Sequence, residues 1–535
     1  MKLTGAQIVI EEMVKHGVST VFGYPGGYVI DIYDELYKNA HRINHILTAH
    51  EQGAAHAADA FTRVTGKTAA VIATSGPGAT NLVTGIANAY LDSVPVVFIT
   101  GNVPVPMLGQ DSFQEIDVIG VTLPIVKHSY VVRDVTELQT TLREAFAIAG
   151  SGRKGPVLVD IPKCVQIAVV EYDGGLQVIS RAGASRPTDW NRFGDAVSVI
   201  GKCERPYIYC GGGVTATESG PAVMALSKKI GAPVGLSMMG IGAVPYSYEL
   251  NLGMSGMHGR YASNAAMSEA DLIIALGVRF SDRATGGIQD FVKNSTILHI
   301  DVDAAELGKN VRADIGICGD VGEILPELID LSRRDINSMW VERALTLKAE
   351  DETPCSVEFE PRSIINLVNI FYGDEIVVAT DVGQHQIWVA QYYKFEKPRK
   401  LIASGGLGAM GYGLGAAIGA SIAMGRVRTV LFTGDGSFGM NLVELATAVS
   451  QKLPLTIIIL NNGALGMVRQ MQALFYNGRY SQTELDRGTD FPALARAFGA
   501  AGHSAASLEE LESVLESAPC DGPCVIDCKI CIDER

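Results

Sequence analysis

Two short runs in the last third of the chain carry residues suited to holding a divalent cation and a diphosphate. The apolar stretch Thr429–Thr433 runs into Gly434-Asp435-Gly436-Ser437, and Asn462 follows 27 positions after Asp435, at the end of the apolar run Leu455–Leu460. Adjacent parallel strands would bring both residues to one edge of a sheet. Magnesium takes hard oxygen ligands in an octahedron, usually one or two carboxylates with water and phosphate oxygens. Asp435, the amide oxygen of Asn462 and a carbonyl such as that of Ala464 supply a protein share of that shell. The glycines let the backbone approach a diphosphate, and a helix starting there adds N–H donors and a favourable dipole. An ordinary Asp–Gly turn with an Asn cap is the plainer reading of either half alone; the two together favour the cation.

A second acid stands early in the chain. Ile46-Leu-Thr-Ala-His50 ends a strand, and Glu51 opens a helix rich in Ala54, Ala55, Ala57, Ala58 and Ala60. Glu51 is either a helix-N-terminal charge favoured by the macrodipole or a carboxyl in an apolar pocket with a raised pKa, exchanging a proton with a heteroaromatic nitrogen. The small-residue face requires a very close neighbour, such as a partner subunit. Two other motifs compete. Gly406-Leu-Gly408-Ala-Met-Gly411 matches the dinucleotide fingerprint, with Asp435 beyond it. It follows only a short strand, Leu401–Ala403, and Asp435 sits in its own Gly-rich turn, which suits a metal better than a ribose. Cys520, Cys524, Cys528 and Cys531 invite a metal-cluster reading. Val525–Ile532 reads as a final strand, however, placing Cys524 and Cys528 ~13 Å apart, too far to share one ion.

These groups need elements to position them. Strand-like runs alternate with helical stretches: Ala69–Thr74, Val96–Thr100, Pro156–Ile161, Tyr207–Tyr209, Leu272–Leu276, Ile297–Val302, Ile376–Ala379, Thr429–Thr433 and Leu455–Leu460. This is the pattern of parallel sheets with crossover helices, so the fold class is α/β. Polar connectors at about 171–189 and 348–362 divide the chain into domains spanning 1–170, 190–347 and 363–535. The first and third look duplicated. Ala70-Val-Ile-Ala-Thr-Ser-Gly-Pro-Gly parallels Val430-Leu-Phe-Thr-Gly-Asp-Gly-Ser, and Asn81-Leu-Val parallels Asn441-Leu-Val, in phase with a helix, a proline and a strand.

The 535 residues are 47% hydrophobic and 19% charged, with 43 basic and 58 acidic residues for a net charge of −15. This describes a core-rich globular chain that repels nucleic acid and anionic membrane surfaces. The uncharged stretches Thr68–Leu91 and Leu401–Gly425 are too rich in Gly, Ser, Thr and Asn for lipid-facing spans. Glu11 and Glu12 interrupt any signal-peptide core, and nine scattered cysteines fit a reducing compartment, so a cytoplasmic location is expected.

Glu51, the turn Thr74-Ser-Gly-Pro-Gly-Ala-Thr-Asn81 and the Gly434-Asp-Gly-Ser…Asn461-Asn462 element together resemble a thiamine diphosphate enzyme. Over almost its whole length the chain is similar to the catalytic subunits of the acetohydroxyacid (acetolactate) synthase family. The matching runs include Phe22-Gly-Tyr-Pro-Gly-Gly27, Phe113-Gln-Glu115, Lys127-His128, Pro156-Val-Leu-Val-Asp160 and Gly256-Met-His-Gly259. Others are Arg279-Phe-Ser-Asp-Arg283, His299-Ile-Asp-Val-Asp303, Asp381-Val-Gly-Gln-His-Gln386 and Gly405-Gly-Leu-Gly408.

The resemblance implies a pyrimidine-binding domain first, a central domain, a diphosphate-binding domain last, and active sites shared by two subunits, so at least a homodimer. Glu51 would protonate the aminopyrimidine and promote the imino tautomer that activates the thiazolium carbon. That carbon would attack pyruvate, release carbon dioxide and pass the two-carbon unit to a second 2-keto acid, giving 2-acetolactate or an acetohydroxybutyrate. Cofactor contacts would come from Tyr24, Pro25, Gly26, Asn81, Val382, Gly383, Gln384, His385, Gly408, Met410, Gly434, Gly436, Ser437, Leu465, Gly466 and Met467. Magnesium would sit on Asp435, Asn462 and Ala464. Gly27, Phe113, Gln114, Lys163, Met257, Arg283, Val468 and Met471 would line the substrate channel, Arg283 as a clamp for the acceptor carboxylate or, on its own sequence merits, as a structural ion pair. A non-catalytic FAD would contact Arg153, Gly211, Gly212, Gly213, Met257, His258, Arg279 and Asp301–Asp303. An empty or adenine-nucleotide-bearing central domain is the alternative, because Val234-Gly-Leu-Ser-Met-Met-Gly240 replaces the family's Thr-rich stretch.

Three departures bear on the reaction. Tyr28 stands where the family has a small residue, Met471 where the biosynthetic enzymes have a tryptophan favouring 2-ketobutyrate, and Cys164 where an aspartate is usual. A flexible Met loosens a pocket whose discrimination for one methylene is only ~1–3 kcal/mol, so weak preference for 2-ketobutyrate over pyruvate is expected. The chain also stops at Asp533-Glu-Arg535, short of the family's Pro-rich closing tail, so weaker closure is expected. A thiamine enzyme with another acceptor, including oxygen or a proton, and a binding-only relative are the alternatives; intact Glu51, Asp435 and Asn462 weigh against the latter. A regulatory small subunit is a further expected partner.

Overall fold

The computed structural model describes residues 1–175, 188–286, 295–352, 358–485 and 487–534. Its strands are β1 (Lys2–Thr4), β2 (Thr20–Gly23), β3 (Asn44–Leu47), β4 (Ala69–Ala73), β5 (Val96–Asn102), β6 (His128–Val131), β7 (Val157–Pro162) and β8 (Val169–Glu171). The central stretch adds β9 (Pro206–Cys210), β10 (Val234–Leu236), β11 (Asn251–Met254), β12 (Leu272–Leu276), β13 (Thr296–Asp301) and β14 (Ile315–Cys318). The last are β15 (Val377–Thr380), β16 (Leu401–Ile402), β17 (Thr429–Gly434), β18 (Leu455–Asn461), β19 (Ala501–Ala505) and β20 (Cys524–Lys529). The α/β expectation holds: three six-stranded sheets are flanked by helices, and every strand pairing recorded within them is parallel.

The sheet orders are β3-β2-β4-β5-β7-β6, β11-β10-β9-β12-β13-β14 and β16-β15-β17-β18-β20-β19. Numbered within its own sheet, the first and third share the order 2-1-3-4-6-5, which matches the in-phase similarity between Ala70–Gly78 and Val430–Ser437. The middle sheet has the order 3-2-1-4-5-6, the arrangement that opens a crevice where strand order reverses, here between β9 and β12. The short pair β1–β8 is antiparallel and adds a clasp, Lys2 opposite Glu171.

The chain divides into two compact units, one of Met1–Ser185, Ile376–His385 and Ile402–Arg535, the other of Arg186–Glu375 and Gln386–Leu401. In the first unit, the helix Glu51–Thr65 lies against the helix Tyr412–Ala423. A Cβ on Gly419 would come within 1.9 Å of the Ala57 carbonyl oxygen, and one on Gly415 within 3.0 Å of that of Gly53. The small-residue face that called for a close neighbour therefore meets a helix of its own chain. Its alanines are fully buried and join the apolar residues of β4, β5, β17 and β18 in a continuous core.

Most strand bounds fall within a residue or two of those expected. Cys524 and Cys528 are buried in β20, Cys520 and Cys531 are exposed, and all four are free. Among the described residues no group of three or more His, Cys, Asp or Glu is arranged to hold a metal. No described helix is long and apolar enough to cross a membrane. The polar connectors lie partly outside the described residues; of the described part, Glu171 belongs to β8 and Lys348–Asp351 to the helix Ser338–Asp351.

Candidate active site

At the carboxyl ends of the N-terminal sheet, β3 ends at Leu47 and the helix Glu51–Thr65 begins four residues later, with His50 as its cap accepting the Gln52 N–H at 3.1 Å. Glu51 is buried. Its Oε2 accepts the Asn81 amide N–H at 2.9 Å, and Gly78 gives Oε1 room, since a Cβ there would lie 3.2 Å away. The turn Thr74–Asn81 thus orients the acid, and the positive φ of Gly76 (+59°) belongs to the bend that brings it round. Next to it the loop Tyr24-Pro25-Gly26-Gly27 leaves β2. Gly26 rests on Thr74, where any Cβ would be 2.5 Å from the threonine's Cβ, and the Tyr28 N–H donates to Thr74 Oγ1 at 3.3 Å.

The channel candidates of this domain gather on the same edge. Lys163 Nζ contacts Asp31 Oδ2 at 3.1 Å and donates to the Gly27 carbonyl at 3.4 Å. The Tyr28 hydroxyl donates to the Phe113 carbonyl at 3.4 Å, and Gln114, at φ +59°, packs over Gly76. Phe113 itself is 80% exposed, a large apolar ring offered to solvent. Arg153 is set apart, donating to Ser93 Oγ at 2.9 Å.

The C-terminal sheet presents the cation and diphosphate candidates. Gly434 pairs with Leu460 across β17 and β18, so Asp435 and Asn462 both lie just past the carboxyl ends of neighbouring strands. Asp435 heads the helix Asp435–Asn441 and is buried; burial pushes its carboxyl up to about 6, against N–H donors of its own segment that pull it down. Asn462 Oδ1 accepts the Ala464 N–H at 3.1 Å, and Asn462 Nδ2 lies 3.4 Å from Gln384 Oε1. Gly466 leaves the space for Gln384, since a Cβ there would be 1.8 Å from Oε1. Ser437 donates to the Val382 carbonyl at 2.8 Å, tying Val382-Gly383 to the Asp435 helix. A Cβ on Gly436 would meet Leu465 at 2.9 Å, Leu485 at 3.1 Å and the tip of Met410 at 3.9 Å. Gly408 keeps φ at +69°, with Val382 nearby.

His385 is buried between Gly383 and Gly434, where a Cβ on either would crowd its ring. Its Nε2 has no partner, and burial lowers its pKa to about 3, so it is neutral. Asp381 received no role from sequence, yet it organises this edge. Its carboxylate accepts the N–H of Val382 at 2.9 Å, Gly411 at 2.8 Å and Gly413 at 3.2 Å, and burial raises its pKa to about 6. A lone charge ending an apolar strand, parallel in place to the end of β17, was the signal available for it. The helix Gly466–Phe475 carries Met467, Val468 and Met471 and has no buried residue; Val468 and Met471, three apart, share a face.

The second unit holds the remaining candidates. Met257 donates its N–H to the Arg283 carbonyl at 2.8 Å, and Arg283 Nη1 lies 3.5 Å from Met257 Sδ. Arg283 Nε also lies 3.8 Å from a carboxylate oxygen of its exposed neighbour Asp282. At the strand-order reversal, Gly211 and Gly213 interlock with Gly277: a Cβ on Gly211 would be 2.1 Å from the Gly277 oxygen, and one on Gly277, at φ +57°, 2.5 Å from the Gly213 Cα. The helix Gly212–Ala216 follows. Asp301 ends β13, its Oδ1 accepting the Asp303 N–H at 2.9 Å, while Asn310 donates to the Arg279 carbonyl and Gln391 to that of His258.

Two α/β domains thus share one strand order, one carrying the buried acid Glu51 and the other Asp435 and Asn462 past neighbouring strand ends. Residues 3–121 match the family described as thiamine pyrophosphate enzyme, N-terminal TPP binding domain; residues 194–328 match its central domain and 381–528 its C-terminal TPP binding domain. The acetolactate synthase large subunit of Buchnera aphidicola subsp. Schizaphis graminum is 40% identical over 523 residues, 96% of this chain and 91% of that protein. The acetolactate synthase isozyme 2 large subunit of Escherichia coli K12 is 42% identical over 538 residues, covering 99% of this chain and 96% of that protein. An acetolactate synthase of Arthrospira platensis is 42% identical over 557 residues, with 100% and 95% covered. The chain belongs to the acetolactate synthase family of thiamine pyrophosphate enzymes.

Proposed function

We propose that the protein is an acetolactate synthase, removing carbon dioxide from pyruvate and joining the remaining two-carbon unit to a second 2-keto acid. The observation that carries this reading is the pairing of buried Glu51, oriented by Asn81, with the Asp435–Asn462 pair on a sheet of the same order. The residues fit thiamine diphosphate with magnesium. His385 Nε2 is a buried nitrogen without a partner, and Ser75 Oγ is likewise unpartnered in the turn beside Glu51. When bound, the coenzyme supplies an electron sink for decarboxylation and carries the two-carbon unit.

The chain's own groups do the rest. Glu51 would hold and move a proton at its carboxyl for a ring nitrogen of the coenzyme. Asp435, the Asn462 amide oxygen and the Ala464 carbonyl would hold magnesium; Gln384, His385 and the helix N-terminus at Asp435 would hold the diphosphate; Met410 and Leu465 would support the coenzyme. Tyr24, Pro25 and Gly26 would hold its pyrimidine, and Gly408, Ser437, Gly466 and Met467 would complete the set of contacts. Arg283, beside Met257 in the second unit, would clamp the acceptor carboxylate, and Gly27, Phe113, Gln114, Lys163, Val468 and Met471 of the first would shape the channel. The crevice at Gly211–Gly213 and Gly277, in a sheet of dinucleotide-binding order, would suit FAD, with His258, Arg279 and Asp301 of the same unit as further contacts. A homodimer with shared sites, a regulatory small subunit and a cytoplasmic location belong to the same reading.

Incubation with pyruvate, magnesium and thiamine diphosphate, with products identified, tests the proposal. Acetolactate supports it. Acetaldehyde or acetate would assign the chain to a decarboxylase or oxidase, the alternative for which the bulk of Tyr28, its hydroxyl donating to the Phe113 carbonyl, is the observation to weigh. No carbon dioxide would leave a binding protein. The visible spectrum of the purified protein reads the flavin.

A further inference from the structure

The peptide that delivers Glu51 is held from the C-terminal domain. Glu444 lies in the turn Leu442–Glu444, directly after the helix Asp435–Asn441, and is fully buried. Its Oε1 accepts the His50 N–H at 2.9 Å, and its Oε2 accepts the Ala49 N–H at 3.2 Å and the Thr447 hydroxyl at 2.7 Å. Ala49 and His50 immediately precede Glu51, past the end of β3, where no strand partner holds their amides. Gly53 is part of the arrangement, because a Cβ there would lie 2.0 Å from Glu444 Oε1. Thr48 donates to the His50 carbonyl at 3.1 Å, closing the loop on itself. A buried carboxylate is costly to desolvate, and hydrophobic packing alone would not require one here. What this one does is fix two peptide planes whose rotation would swing the first helical residue.

We propose that Glu444 is a positioning residue for Glu51, setting the carboxyl against the coenzyme's ring through the Ala49 and His50 amides. It rides on the segment that begins at Asp435, so the elements proposed to grip the cation also set the acid. This rests on the proposed role of Glu51, and the test separates the two. The readout is hydrogen–deuterium exchange at the reacting carbon of bound thiamine diphosphate, followed by quenched-flow NMR in the magnesium-loaded protein without substrate. It is measured alongside the dissociation constant of the coenzyme.

Glu444→Gln keeps one acceptor oxygen but turns an NH₂ toward a backbone donor, and exchange falls about tenfold. Glu444→Ala frees both peptides, and exchange falls about 100-fold, the scale expected for a misplacement of ~1 Å. Coenzyme affinity changes less than about threefold in both. Thr447→Val, a milder change that only releases the carboxylate's third donor, gives a smaller drop of the same kind and covers the case of an unfolded Ala variant. Exchange unchanged in the Gln and Val variants, or lost only in proportion to coenzyme affinity, overturns the positioning role. Glu51→Gln is the control: if it leaves exchange intact, the reading of Glu51 itself fails, whereas loss there with normal Glu444 variants sinks only this inference.

Discussion

Replacing Arg63 by methionine tests how the two domains of the first unit are joined. Its guanidinium donates to Asp59 at 2.6 and 3.2 Å, to Asp92 at 2.8 Å and to the Ala403 carbonyl at 2.9 Å. The three charged side chains are 10%, 1% and 0% exposed. Two carboxylates thus share one cation, helped by the Tyr412 hydroxyl on Asp59 at 2.6 Å and the Gly405 and Gly406 amides on Asp92 at 3.0 and 2.7 Å. Methionine fills similar volume but leaves two buried negative charges without a counter-ion, a loss of about 3–5 kcal/mol. For a cooperative unit of a few hundred residues, unfolding entropy is roughly 0.6–0.8 kcal/mol/K, so the melting temperature falls by about 4–8 °C.

Differential scanning calorimetry at several pH values reads the fall directly. Because Asp92 also fixes the loop leading to Gly408 and Met410, coenzyme affinity should weaken as well. A methionine variant melting within 1 °C of wild type at every pH would refute the reasoning.

Two further changes probe separate parts of the account. Asp160 is buried with Thr100 and Asn102 donating to it at 2.6 Å each, and burial lifts its pKa to about 7. The folded chain holds a proton that the unfolded chain releases above about pH 4, so stability falls from there to about pH 7. Asp160→Asn should flatten that slope in urea titrations, and an unaltered slope would count against the assignment. Met471→Trp places a rigid indole on the face shared by Val468 and Met471 of the helix Gly466–Phe475, proposed to line the channel, and should raise the 2-ketobutyrate preference about 5–150-fold in a competition assay, the worth of ~1–3 kcal/mol. An unchanged product ratio would show that position 471 does not set acceptor choice.

The local signals in the sequence were sufficient for the strands and their duplication. Alternating apolar runs and Gly-rich turns place β4, β5, β17 and β18 within a residue or two, and the shared phase of Asn81 and Asn441 agrees with two sheets of one order. Asp435 and Asn462 were likewise legible, because neighbouring parallel strands bring residues past their carboxyl ends together wherever the sheet sits. What sequence missed depends on long-range pairing. Glu444 meets Ala49 and His50 across about 395 positions, and Arg63 meets Ala403 across 340; no periodicity encodes such partners. The alanine face after Glu51 was recognised as a tight contact, but only the fold shows its neighbour to be the helix Tyr412–Ala423 rather than a second copy.

The central claim is that the Glu51 carboxyl exchanges a proton with the bound coenzyme. Glu51→Gln keeps the shape and the Asn81 contact while removing the acid, so the most direct measurement is its rate of carbon dioxide release from pyruvate at saturating thiamine diphosphate and magnesium. The account predicts a fall of about 10²–10⁴-fold with coenzyme still bound. A variant that binds the coenzyme and turns over at the wild-type rate would contradict it.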